Sequence, residues 1–177
     1  MSAEPWQTAE IPGPLKAFVI TKPIAVVTLI KRAKRPIMIV GHEATKINID
    51  EKKLIDYVIE IANAKQIPIV ATAHIIKEFK ERGVENVFSM PAIDIANRLK
   101  DSEWRGLDGN GPYDLAIFVG LPYYMEWTIL SGLKHSAPNL RTISLDRTYQ
   151  PHASWSFPNL TIDEWRTQLN EIITQLK

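Results

Sequence analysis

Four short apolar runs that do not alternate constrain this chain most. They are Pro36-Ile37-Met38-Ile39-Val40 before Gly41, Ile67-Pro68-Ile69-Val70-Ala71-Thr72, Leu115 to Val119 before Gly120, and Leu140 to Leu145 before Asp146. A strand with water on one face alternates apolar and polar residues. A run that is apolar at every position has both faces covered, which is the mark of a parallel strand sandwiched between helices. Pro68 sits at the start of its run, where the missing N–H matters least.

The segments between these runs have helical period. Asp50 is expected to cap a helix whose Leu54, Ile55, Val58, Ile59, Ile61 and Ala62 form a stripe. A short helix is predicted from Ala73 to Glu81, another opens at Pro91, and a third covers 122–135 with Trp127 and Leu130 on one side. Thr161-x-x-Glu164 is a capping box for a final helix carrying Trp165, Leu169, Ile172 and Leu176. Residues 21–33 stay open between helix and strand. Thr21-Lys22-Pro23 reads as a helix start and the basic cluster Lys31, Arg32, Lys34, Arg35 as a helix end, but Ala25 to Ile30 is rich in β-branched residues. Strands alternating with helices predict an α/β domain with a doubly wound, mostly parallel, Rossmann-like sheet over 21–177, preceded by a Pro-rich N-terminal arm, 1–20.

Composition removes several function classes. At 177 residues and 45% hydrophobic the chain suits one domain with a real core. A net charge of +1 gives no reason to expect nucleic acid or an anionic membrane as partner. With no cysteine there is no disulfide, no thiolate nucleophile, and no cysteine-ligated zinc or iron–sulfur centre. His42, His74, His135 and His152 lack the spacing of a metal site, so no metal is expected. The apolar stretch 17–30 is broken by Lys22-Pro23 and falls short of the roughly 20 residues of a membrane span. No signal-peptide order precedes it, so no membrane and a cytoplasmic location are expected. There is no G-x-S-x-G, H-E-x-x-H, G-x-G-x-x-G or P-loop motif, and no catalytic residue is assigned.

In an open parallel sheet, ligands bind beyond the carboxyl ends of the strands, where the strand order reverses. The residues placed there are Gly41 and His42, Thr72, Gly120, and Asp146, and these five are the candidate cofactor-binding positions. Glycine allows backbone to approach a phosphate, and an acid at a strand end can accept from ribose hydroxyls. The same residues have plainer uses: glycines for turns, histidines for backbone bonds, Asp146 paired with Arg147 or capping a turn. The loop 101–114, with Gly106, Gly109 and Gly111, could cradle an anion, form a rigid turn or dock a partner. Trp104, Tyr113, Tyr123, Tyr124, Trp127, Tyr149 and Trp155 crowd the second half and, with Trp6, suggest a docking surface, although some of them can equally close the core.

KRAKRPIMIVG, IPIVAT, YDLAIFVG and TISLD resemble, in order, successive strands of the Rossmann-like middle domain of thiamine-diphosphate enzymes, which in some members holds FAD along the strand ends. The thiamine signature, Gly-Asp-Gly with a downstream Asn, is missing, and a thiamine enzyme is rejected. AKRPIMIVG, IPIVATAH, WRGLDGNGPYDLAIFVG and LRTISLDRTYQPHASWSFPNL resemble more closely the epsilon subunit of the archaeal acetyl-CoA decarbonylase/synthase complex, over about residues 21–165.

That resemblance implies a small subunit bound to the nickel- and iron–sulfur-containing carbon monoxide dehydrogenase alpha subunit, in an alpha2-epsilon2 component oxidising CO to CO2. Its role there would be to stabilise the large subunit or to pass electrons to FAD. Two readings follow: an accessory docking subunit, and a flavin-binding mediator with FAD across Gly41, Thr72, Gly120 and Asp146. Self-association of the chain is a further expectation. Gly120→Val is expected to separate the readings, since a scaffold would tolerate it and a flavin site would not.

Overall fold

A computed structural model of the protein describes residues 15–177; residues 1–14, with Trp6 and most of the expected arm, lie outside the described residues. In chain order the elements are β1 (Phe18–Val19), α1 (Pro23–Arg32), β2 (Pro36–Val40), a 3-10 turn (His42–Thr45), β3 (Asn48–Ile49), β4 (Lys52–Lys53), α2 (Leu54–Lys65), β5 (Ile69–Ala71), α3 (Ile76–Glu81), β6 (Val87–Ser89), α4 (Ala92–Lys100), β7 (Leu115–Val119), α5 (Tyr123–Ser136), β8 (Arg141–Ser144), β9 (Trp155–Ser156) and α6 (Ile162–Leu176). Seven strands form one sheet in the order β1-β9-β8-β7-β2-β5-β6, and β3 and β4 make a separate hairpin. Every pairing in the large sheet is parallel, with Ile39 opposite Phe118 and Val70 in the centre.

Alternation along each buried strand divides the core in two. Met38, Val40, Ile69, Ile117 and Ile143 face a layer built from α1, α2 and α6, with Val26, Ile61 and Trp165 among its buried side chains. Ile37, Ile39, Val70, Ala116 and Phe118 face α4 and α5, against Ile95, Leu130 and Leu133. This is the doubly wound, Rossmann-like α/β arrangement. The chain runs from β2 to β5 and β6 on one side and returns to β7, β8 and β9 on the other, so the order reverses between β2 and β7.

Several expectations change in detail. The open segment 21–33 is a helix, because Pro23, Val26, Val27 and Ile30 recur at helical spacing on its buried side and Pro23 occupies the first turn. Asp50 does not cap α2. It sits in the β3–β4 turn with φ of 59° and pairs with Arg166 at 2.5 Å, while Asp56 accepts the Lys53 N–H at 3.0 Å to close the first turn of α2. Helix α3 starts at Ile76, three residues later than expected, because Ala73 and His74 both take left-handed φ. On α5 the buried face is Glu126, Ile129, Leu130 and Leu133; Trp127 is only half-buried and meets His152 edge-on at 4.6 Å. Phe18 and Val19, at the end of the expected arm, extend the sheet by pairing with Trp155 and Ser156.

Candidate functional site

The reversal point between β2 and β7 is built from two glycines whose backbones touch. Gly41 follows β2, and a Cβ placed on it would lie 2.1 Å from the Gly120 carbonyl oxygen. Gly120 follows β7 with φ of 71°, and its Cβ would lie 2.7 Å from the Ala44 backbone nitrogen. The Gly41 N–H donates to the Val119 carbonyl and the Glu43 N–H to the Gly120 carbonyl, both at 2.9 Å. The 3-10 turn is thereby clamped onto the end of β7. Both glycines are required by close backbone packing inside the chain.

The other expected residues take up backbone bonds of their own. The Thr72 hydroxyl and N–H both donate to the Val40 carbonyl at 3.0 Å. His42 begins the 3-10 turn, and its carbonyl accepts from the Thr45 hydroxyl at 2.8 Å. Asp146 does not pair with Arg147. Its two carboxylate oxygens accept the Gly120 N–H at 2.9 and 3.0 Å, and Arg147 turns instead to the Leu160 carbonyl at 3.3 Å. The structure therefore brings Gly41, Gly120 and Asp146 together and leaves His42 and Thr72 serving neighbouring backbone.

Beside Asp146 lies a residue the sequence reading missed. Glu126, on α5, is fully buried; its Oε2 accepts a long bond from Gln150 Nε2 at 3.4 Å and its Oε1 has no partner. Burial first, and then the nearby Asp146 charge, push the Glu126 carboxyl well above the ordinary carboxylate range. Burial also raises Asp146, against the lowering effect of the Gly120 N–H. Two neighbouring carboxyl groups, each raised by burial, do not both ionise readily. Burial with only one long donor favours the protonated form of Glu126 more than that of Asp146, which accepts the Gly120 N–H. The available signal was spacing: Glu126, Ile129, Leu130 and Leu133 share one helical stripe, with a carboxyl in an otherwise apolar row.

The space above this pair is small. A cavity of about 180 Å³ is lined by Glu43, Leu121, Tyr123, Glu126, Asp146 and Gln150, among others. That lies below the roughly 300–1,000 Å³ of pockets that enclose organic ligands. FAD laid over Gly41, Thr72, Gly120 and Asp146 does not fit this arrangement, because the amide and the approach space at the glycines are already occupied by the protein. The effect expected of Gly120→Val changes accordingly. A branched side chain there meets Ala44 whether or not a ligand binds, so the substitution does not separate scaffold from flavin site.

Chemically, the cluster has no nucleophile–base pair. Asp146 ties the ends of β7 and β8 through the Gly120 N–H, and Gln150 Nε2 donates to the Tyr123 carbonyl and to Glu126 on α5. Among the described residues no group of three or more His, Asp or Glu side chains could hold a metal ion. No helix among the described residues is long and apolar enough to cross a membrane.

The glycine loop before β7 is tied to the body of the fold by side chains. Arg35 grips Asp108 at 2.5 and 3.2 Å and lies over the Tyr113 ring at 5.1 Å, and the Tyr113 hydroxyl accepts the Leu107 N–H at 3.1 Å. The Asp114 carboxylate accepts the Lys34 and Arg35 N–H groups at 2.8 Å each. The Arg35 guanidinium, together with the Asn110 bonds, holds the Asp108 carboxyl well below the usual range.

Comparison with known proteins adds the family. A family described as CO dehydrogenase beta subunit/acetyl-CoA synthase epsilon subunit matches residues 1–173. The chain is 36% identical over 173 residues to the acetyl-CoA decarbonylase/synthase complex subunit epsilon of Methanothermobacter thermautotrophicus, covering 97% of this chain and 95% of that protein. It is 42% identical over 159 residues to subunit epsilon 1 of Archaeoglobus fulgidus, covering 88% and 83%. Against subunit epsilon of Methanothrix soehngenii it is 36% identical over 176 residues, covering 98% and 91%. A match along nearly the whole length makes this chain a member of the CO dehydrogenase beta subunit/acetyl-CoA synthase epsilon subunit family.

Proposed function

We propose that the protein is the epsilon subunit of an acetyl-CoA decarbonylase/synthase complex and acts there by docking, without chemistry of its own. It binds and stabilises the carbon monoxide dehydrogenase alpha subunit in an alpha2-epsilon2 component that oxidises CO to CO2 during reversible acetyl-CoA cleavage and synthesis. The observation that supports this reading best is the closed strand-end crevice. Where a doubly wound domain ordinarily receives its ligand, Gly41, Gly120, Ala44 and Asp146 occupy one another. A chain without cysteine supplies no thiolate for metal clusters, so the redox centres of CO oxidation fall to the partner.

The flavin-mediator alternative requires Asp146 to release the Gly120 N–H and the 3-10 turn to move away from Gly120. No feature of the site favours it.

The test is assembly. The purified chain and the alpha subunit of the same organism are mixed and followed by sedimentation velocity, with the thermal inactivation of CO oxidation measured alongside. A discrete complex of two copies each, with slower inactivation than alpha alone, is the expected result. Independent sedimentation of the two proteins would defeat the reading.

A further inference from the structure

A second cavity, unrelated to the carboxyl pair, lies at the β1–β9 edge of the sheet and has a volume of about 620 Å³. Its apolar part is exposed to an unusual degree. Leu15 is 71% and Phe18 67% exposed, and Phe18 stacks on the half-buried Trp155 with ring centroids 5.0 Å apart. Its charged part has one sign: Lys16, Arg32, Lys134 and Arg141 line it, and no carboxylate does so among the described residues. In a chain with net charge of only +1 this is a local concentration of cations. Its wall also carries His152, 5% exposed, with neither ring nitrogen hydrogen-bonded. Burial, and then the charges of Lys134 and His135, hold that imidazole below its ordinary pKa.

Aromatic and apolar anchors ringed by arginine and lysine form the composition that carries binding energy in protein interfaces. An apolar surface of this kind, rimmed by charge, marks an interaction site. Charge complementarity decides what fits: a negatively charged occupant that also carries apolar side chains. We infer that this groove is the docking face for the large subunit, receiving from it an acidic segment with apolar anchors. The inference rests on the docking role proposed above and adds which face is used and what chemistry the partner presents. The guanidinium groups of Arg32 and Arg141 grip its carboxylates, and Leu15, Phe18 and Trp155 take its apolar side chains.

The test uses the full chain and the intact alpha subunit. Arg32 and Arg141 are both exposed, so the double variant R32E/R141E reverses the groove's charge without entering the core. The double variant K77E/K80E makes the same charge change on α3, beside the opposite edge of the sheet. Thermal melts of the isolated chains verify that both variants fold. The expected result is that native and K77E/K80E chains assemble alike, that R32E/R141E binds at least about tenfold more weakly, and that native affinity falls as salt rises. Equal binding by R32E/R141E and native chain overturns the assignment of this face and leaves the docking role standing. Failure of the native chain to assemble overturns both. If the isolated native chain is a dimer that R32E/R141E dissociates, the groove holds a second copy of this chain and the inference is wrong.

Discussion

The backbone N–H of Gly120 donates to both carboxylate oxygens of Asp146, across the ends of β7 and β8. An acid that a sequence reading places at a ligand site is here a structural acceptor. Asp146→Ala leaves that N–H without its partner, a loss of about 1–3 kcal/mol. Asp146→Asn keeps one acceptor oxygen and is expected to lose less. Urea denaturation of the two variants checks the order, and a native midpoint in Asp146→Ala would show that the bond contributes nothing.

Gly120 and Gly83 separate strain from crowding. Both have positive φ, 71° and 75°, but a Cβ at Gly83 meets nothing within 4 Å, whereas one at Gly120 meets Ala44 at 2.7–2.8 Å. Gly83→Ala is expected to lose about 1 kcal/mol from the left-handed backbone alone. Gly120→Ala adds overpacking, a further 1–3 kcal/mol or about that. Equal midpoints for the two variants would count against the packing at the reversal point.

Glu126 makes stability depend on pH in a definite direction. Its folded-state pKa lies above the ordinary value of 4.5, so the fold favours the protonated form. Its contribution is complete below that ordinary value and is lost as pH rises through the folded-state value, with a slope approaching about 1.4 kcal/mol per pH unit. Glu126→Gln keeps the shape and removes the titration. The difference in urea midpoint between native and variant should therefore shift in the variant's favour between pH 4 and pH 8. A constant difference would mean that Glu126 is not the proton holder.

Tyr149 ties the β1 edge to the body, its hydroxyl donating to the Ala17 carbonyl at 2.8 Å in a buried position. Tyr149→Phe leaves that carbonyl unpaired, at about 1–3 kcal/mol. The loss should be local. Amide exchange at Phe18 and Ile20, which bond to Ser154 and Ser156, should quicken, while exchange in β2 and β7 slows or quickens only with global stability. Uniform change across the sheet would contradict this.

For flavin, the filled reversal point predicts that a calorimetric titration of FAD into the isolated chain gives no saturable heat. Saturable binding at micromolar Kd, about −8 kcal/mol, would revive the mediator reading and require the 3-10 turn to move.

The sequence by itself determined the four central strands, the parallel α/β class and the start of α6. Each of these rests on a local pattern: an apolar run without alternation, or Thr161 and Glu164 three residues apart, whose mutual bonds at 2.8 and 3.3 Å need no distant partner. Tertiary structure decided the rest. Strands β1 and β9 are two residues each and carry no run, and they exist because Phe18 and Trp155 meet across the sheet. The helical character of α1 prevailed over its β-branched composition because its stripe is buried against α6. The five candidates lie just past the carboxyl ends of β2, β5, β7 and β8, but their partners were not visible in the sequence. Whether Gly120 faces a phosphate or Ala44, and whether Asp146 faces a ribose or a glycine N–H, depends on which strands are neighbours. That is set by contacts between residues far apart in the chain, while periodicity reports only that a segment is buried.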